Sequence, residues 1–396
     1  MTSVLICSSP IHGHVTPLLV VARYLVESGH DVRFLTGSRF RGGVERTGAT
    51  FVGLPAGADY DDQTMDTTFP GRVGKSGVAG LVWDLENIFL AVAAVQYRAL
   101  GSAIAHVPTD AVIAEPLFIG AAMMMLRPRA ERPMMISSNV VPLTLSSRDT
   151  APFGLGLTPI PGLRGRVRNR VLQLVAEKLI FRSVQRKAEA IAADLVGTSV
   201  PMFLLDALRL ADALVQFSVQ SFEYPRSDLP STVHFVGPML PASRPDAALP
   251  SWWADLDAGR PVVHVSQGTI ANRNYDELIA PTLTGLADDD VLVVVSTGGR
   301  PVDSLPSPLP ANARVAEYLP YDALLPKVDV MVTNGGFGGI QFAVRKVLTD
   351  GSYRAASQRI GVDILAASGL AGVRELIEAG RHPAVRASDT SIRPTG

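Results

Sequence analysis

The chain has 396 residues, 47% of them apolar and 18% charged, with a formal net charge of −1. That is enough for a large core in two or three domains, with two expected, and it excludes a global attraction to nucleic acid or to anionic membrane. The one cysteine, Cys7, excludes an internal disulfide framework and, inside an apolar run, reads as a buried structural thiol in a reducing compartment.

Short β-branched runs alternate with helical patterns, which predicts an α/β fold with parallel sheets. Strands are predicted at residues 3–7, 31–35, 50–53, 110–114, 133–137 and 213–217, six in all for one open sheet. After the first, Leu18, Leu19, Ala22, Leu25 and Val26 form one face of a helix over 16–28, capped by Gly29. The N-terminal apolar stretch has no basic leader and is interrupted by His12, Gly13, His14 and Pro17, so it does not read as a signal peptide. No window reaches the roughly 18 uninterrupted apolar residues of a membrane span, and a cytoplasmic location is expected.

Residues 223–260, with Pro225, Pro230, Pro238, Pro241, Pro245 and Pro250, read as a linker between a first domain over 1–222 and a second over 261–346. Four more strands are predicted at 261–265, 291–296, 313–317 and 328–332, then helices across 347–380 and a tail over 381–396. No strand is predicted after Gly339, so the second sheet reads as incomplete.

Ile11-His12-Gly13-His14-Val15-Thr16-Pro17 forms the turn after the first strand, and the fourth strand ends at Glu115. In a doubly wound sheet of order 3-2-1-4-5-6, ligands bind beyond the C-terminal ends of strands 1 and 4. His14 or His12 should therefore meet Glu115. A carboxylate bonded to one imidazole nitrogen fixes the tautomer and leaves the other nitrogen as a base. The alternative is that both histidines cap the helix while Glu115 ends its strand in solvent.

Two further turns suit anions. Ser266-Gln267-Gly268-Thr269 follows the first strand of the second set. Thr333-Asn334-Gly335-Gly336-Phe337-Gly338-Gly339 joins a strand to a helix start, where glycines admit positive φ and free N–H groups face a phosphate. Neither is a Walker A loop or a G-x-G-x-x-G fingerprint, so ATP hydrolysis and NAD binding gain little support. Asp59, Asp61 and Asp62, like Asp288, Asp289 and Asp290, fit surface loops better than metal sites. Met123 to Met125 with Met134 and Met135 read as core, or as an adaptable acceptor cleft.

Between Arg164 and Lys187 stand eight basic residues and one acid, Glu177. Leu172, Val175 and Leu179 mark an apolar face there. A solvated outer face is the simpler reading; a peripheral helix on anionic lipid is the other.

Taken together, Gly13-His14-x-x-Pro17, Ser266-x-Gly268-Thr269, Tyr318-Leu319-Pro320 and Asn334-Gly335-Gly336-x-Gly338-Gly339 resemble the GT-B glycosyltransferases of the family containing macrolide, glycopeptide and plant UDP-sugar enzymes. The resemblance covers most of residues 1–345, and 352–378 looks like that family's closing helices. It implies two Rossmann-like doubly wound domains facing across a cleft, the first binding acceptor and the second nucleotide sugar. It also implies inverting transfer of a hexose or deoxyhexose from a UDP or dTDP sugar to a hydroxyl of a hydrophobic small molecule or lipid. His14 aligns with the family's general base, and Glu115 stands where an aspartate usually orients it. The nucleotide base would sit near Tyr318, Leu319 and Pro320. The diphosphate would meet Ser266, Gly268, Thr269 and the turn Asn334, Gly335, Gly336, Gly338 and Gly339. No metal or other cofactor is implied, because hydrogen-bond donors and a helix N-terminus stabilise the leaving diphosphate.

There are departures. Asn334 replaces a histidine, Gly339 a serine or threonine, and Phe342 a glutamate that would hold the ribose. A segment of about 30 residues, a βα unit carrying sugar contacts, has no counterpart after Lys346. The rival expectations are a catalytically impaired homologue acting as an auxiliary protein and, more remotely, a nucleotide-sugar epimerase.

Overall fold

The computed structural model describes residues 1–139, 143–237, 249–267, 274–333, 359–360 and 362–380. The chain divides into two compact units, one of Met1–Met239 with Asp363–Gly396 and one of Leu240–Val362.

In the first unit seven parallel strands lie in the order β3-β2-β1-β4-β5-β6-β7. They are β1 (Ser3–Cys7), β2 (Asp31–Thr36), β3 (Thr50–Gly53), β4 (Ala111–Ala114), β5 (Met134–Asn139), β6 (Ala213–Gln216) and β7 (Val233–Phe235). Side chains alternate across the sheet, and both faces are covered. Val4 and Ile6 pack with Leu18, Val21 and Leu25 of helix α1 (His12–Glu27), while Leu5 and Cys7 pack with Leu100 and Ala103 of α2 (Ala93–His106) and Met124 of α3 (Ile119–Met125). Burial also pushes the Cys7 thiol pKa up, as expected of an inert core thiol.

Strand ends shift by one or two residues, and two features differ more from the sequence reading. Helix α1 starts at His12 rather than residue 16, although Pro17 cannot donate to the Gly13 carbonyl; the His14 and Val15 N–H groups close the first turn on the Ile11 carbonyl. The sheet has a seventh strand where the sequence reads as linker. Val233 pairs with Leu214 in register, and three residues flanked by prolines suffice for an edge strand.

Beyond α3 come α4 (Gly162–Val175) and α5 (Arg182–Val196), joined by a wide turn at Ala176–Ile180. Val184, Ala188 and Ala192 of α5 pack with Leu85, Ile88 and Phe89 in a separate apolar cluster. Among the described residues no single helix is long and apolar enough to cross a membrane. The bent pair Gly77–Phe89 and Ala93–His106 has the length, but Leu85, Ile88, Ala93 and Leu100 lie in the core.

The second unit holds β8 (Val262–Ser266), helix α6 (Ile279–Gly285), β9 (Leu292–Ser296), β10 (Ala313–Ala316) and β11 (Val330–Thr333), a parallel sheet of order β10-β9-β8-β11. Val263, Val265, Val293 and Val295 pack against Ile279 and Leu283 of α6; on the other face Val262, Leu292 and Val294 meet Leu256 and Leu324. The last described helix, α7 (Gly369–Ala379), belongs to the first unit. Its Val373 and Ile377 enter the core around Val4 and Ile6, and the Gly369 N–H donates to the Val236 carbonyl at 2.6 Å.

Candidate active site

In the first sheet β1 has β2 on one side and β4 on the other, so the chain reverses its winding between β1 and β4. His14 rides on the first turn of α1, just past β1, and Glu115 is the residue after β4. His14 Nδ1 lies 2.9 Å from Glu115 Oε2. The Glu115 side chain is fully buried, whereas that of His14 is 18% exposed. Burying a charge is costly unless donors surround it. Here the Ser9 N–H donates to Glu115 Oε1 at 3.1 Å and the Leu117 N–H to Oε2 at 2.7 Å.

Burial pulls the His14 pKa down, but the Glu115 charge and hydrogen bond outweigh it and hold the imidazole above its ordinary value. Burial likewise pushes Glu115 up, yet the His14 charge and the hydrogen bonds from His14, Leu117 and Ser9 bring the net shift below the usual carboxylate range. An ionised carboxylate only accepts, so Nδ1 carries the proton in this pair and Nε2 is the basic nitrogen. His14 Nε2 has no hydrogen-bond partner among the described residues, and the ring lies 6.3 Å from that of Phe89.

His12, the other candidate, does not reach Glu115. Its side chain approaches Thr16 Oγ1 at 3.4 Å, and its N–H donates to Asp62 Oδ2 at 2.6 Å. Asp61 and Asp62 also pair with Arg39, and Asp59 accepts from the Ser38 N–H. These carboxylates tie the loop over 59–64 to the segment after β2 and, through Asp62, to the start of α1 after β1. The Ser9 and Leu117 donors escaped the sequence reading, since backbone N–H groups have no side-chain signature. The same sheet edge carries an apolar cavity of about 380 Å³, lined by Leu143, Phe153, Leu157, Phe217, Phe222 and Tyr224 with Glu223 and Arg226. Burial raises the Glu223 pKa.

The second unit repeats the reversal. β8 has β9 on one side and β11 on the other, and its last residue, Ser266, is the register partner of Thr333, the last of β11. The two predicted anion turns therefore leave adjacent parallel strands at one edge. Gly268, Thr269, Asn334, Gly335, Gly336, Gly338 and Gly339 lie outside the described residues, as do Phe342 and Lys346. Tyr318 and Leu319 follow β10 at the same edge. Tyr318 is exposed and crosses Gly299, where a Cβ would stand 2.1 Å from its hydroxyl, while Leu319 packs with Leu324 and Val294.

Comparison with known proteins agrees with this layout. Residues 162–347 match the family described as UDP-glucoronosyl and UDP-glucosyl transferase. Over 345 residues the chain is 40% identical to 4'-demethylrebeccamycin synthase of Lentzea aerocolonigenes, covering 86% of this chain and 80% of that protein. The chain belongs to the UDP-glycosyltransferase family. It is 33% identical to UDP-glucosyltransferase A1 of Starmerella bombicola over 350 residues, 86% of this chain and 74% of that one. Among solved structures, the glycosyltransferase of kitacinnamycin superposes with a TM-score of 0.68 at 19% identity, covering 96% of this chain and 99% of that one; it shares the GT-B fold. As a family member this chain is a glycosyltransferase, an enzyme of the hexosyltransferase class.

Proposed function

We propose that this glycosyltransferase moves a hexose or deoxyhexose from a UDP or dTDP sugar to a hydroxyl of a hydrophobic small molecule or lipid, with inversion and without a metal. The observation that carries this reading is the buried His14–Glu115 pair at the first switch point. His14 Nε2 takes the acceptor hydroxyl proton as the oxygen attacks the anomeric carbon in line. Glu115 is a positioning residue, fixing the tautomer and stabilising the imidazolium. The bond from the anomeric carbon to the diphosphate breaks, and the diphosphate leaves with the electron pair. Ser266, Gly268, Thr269 and the turn at Asn334, Gly335, Gly336, Gly338 and Gly339 are assigned to that diphosphate, Tyr318 and Leu319 to the nucleotide base. Kinship with a 4'-demethylrebeccamycin synthase supports a small-molecule acceptor, and the cavity lined by Leu143, Phe153, Leu157 and Phe217 suits a hydrophobic one.

Calorimetric titration with UDP and dTDP tests the donor, followed by product analysis with the matching sugars and a phenolic acceptor. One of the two nucleotides should bind, and the product should carry the anomeric configuration opposite to the donor's. Binding of neither nucleotide sinks the donor reading, and retention of configuration sinks the single in-line step.

A further inference from the structure

Helix α4 is built inside out. Its buried positions are Gly165, Asn169 and Gln173, whereas Leu163, Val167, Val171, Leu174 and Val175 are exposed, Leu163 at 77%. The inner face is held by close approach and hydrogen bonding. A Cβ on Gly165 would stand 1.7 Å from the Ile160 carbonyl oxygen, and Asn169 Nδ2 donates to the Arg148 carbonyl at 3.1 Å. Leu179, 71% exposed, adds to the apolar surface beyond the helix.

At ~100° per residue, Leu163, Val167, Val171 and Leu174 fall within an arc of roughly 80°. Arg166 and Arg170 flank that arc on one side, Arg164 and Arg168 on the other. Arg166 bonds Asp149 and Arg168 bonds the Thr158 carbonyl. Arg164, Arg170, Lys178, Arg182 and Arg186 have no ion-pair partner among the described residues. Single exposed apolar side chains are ordinary; a continuous stripe with cations along both edges is not.

We propose that this face docks on an anionic lipid surface. The helix lies parallel to the bilayer, with Leu163, Val167, Val171, Leu174 and Leu179 in the acyl boundary and the flanking arginines among the phosphates. Charge decides among the occupants. A second copy packed stripe to stripe would set like arginines against one another, with Glu177 the only acid between 162 and 187 to relieve them. Spanning is excluded, since fourteen residues of helix fall short of a bilayer. The attraction is local, because the whole chain carries a formal charge of only −1. This inference does not depend on the donor, the acceptor or the role of His14.

Cosedimentation of the full chain with phosphatidylcholine vesicles, with and without phosphatidylglycerol, tests it. Binding should require phosphatidylglycerol and weaken with salt. Arg164→Gln with Arg170→Gln should cost roughly fivefold in affinity per arginine. Leu163→Ser, Val171→Ser and Leu174→Ser together should abolish binding while leaving the circular dichroism spectrum unchanged, since all three side chains are exposed. Equal binding to neutral vesicles, or full binding by the triple serine variant, overturns the proposal. So does a dimer seen by light scattering that the serine variant loses while no vesicle binding is found, because a second copy then covers the stripe.

Discussion

At the switch point of the first unit, β1 and β4 lead into a charged pair, a largely buried imidazole on a fully buried carboxylate. At that of the second, β8 and β11 end on Ser266 and Thr333, register partners with no charge of their own. The same topology therefore serves two kinds of chemistry. The first edge can change its proton count, because Glu115 holds His14 in one tautomer and raises its basicity. The second has small hydroxyl residues and glycine-rich turns beyond them, suited to a charge that arrives with the ligand. Sheet topology sets where a ligand can bind, and the residues just past the strand ends set what happens to it.

The contrast breaks most easily at His14. His14→Ala should lower kcat by about 10²- to 10⁴-fold, the usual worth of a positioned base, while UDP or dTDP affinity stays unchanged in calorimetry. Transfer that survives intact removes the first edge from the chemistry. Glu115→Gln should have a smaller effect, on the order of 10- to 100-fold near neutral pH, and a more specific signature. Neutral imidazole is the active form, so kcat/KM falls as pH drops through the His14 pKa, which lies above its ordinary value of about 6.5. Glutamine removes the charge that raises it, so the acid limb should move to lower pH. An unmoved limb means that Glu115 does not tune this base. Ser266→Ala should act on the other side of the comparison, weakening nucleotide binding by roughly three- to tenfold, about one hydrogen bond, without moving the limb.

Much of this is legible in the sequence. The β-branched runs that became β1 to β6 and β8 to β11 announce themselves, and with strand order they predict that His14 and Glu115 meet. The failures have physical causes. β7 is three residues beside prolines, too short for a period of two to register. Ser9 and Leu117 hold Glu115 through backbone N–H groups that any residue would supply. Helix α4 is the most instructive case. Periodicity reports which side chains share a face, not which face turns inward, and here Gly165, Asn169 and Gln173 take the interior while Val175 and Leu179 stay outside.

The smallest expected effect is none at all, and it sharpens the comparison from the second edge. If N–H donors and a helix N-terminus there meet the charge of the departing diphosphate, no divalent cation is needed. The aspartates of the 59–64 loop, which reaches the start of α1 through Asp62, are already committed. Asp59 accepts from the Ser38 N–H, Asp61 from the Gln63 N–H, and Asp62 from the His12 N–H while pairing with Arg39. Recruiting them to a cation would break the contacts that hold their loop to the segment after β2 and to the start of α1. Addition of EDTA should accordingly leave the transfer rate unchanged, measured with the nucleotide that calorimetry selects. A rate that collapses on chelation and returns with magnesium would mean that the second edge cannot hold the leaving group alone, and that its neutral strand ends need a charge from outside the chain.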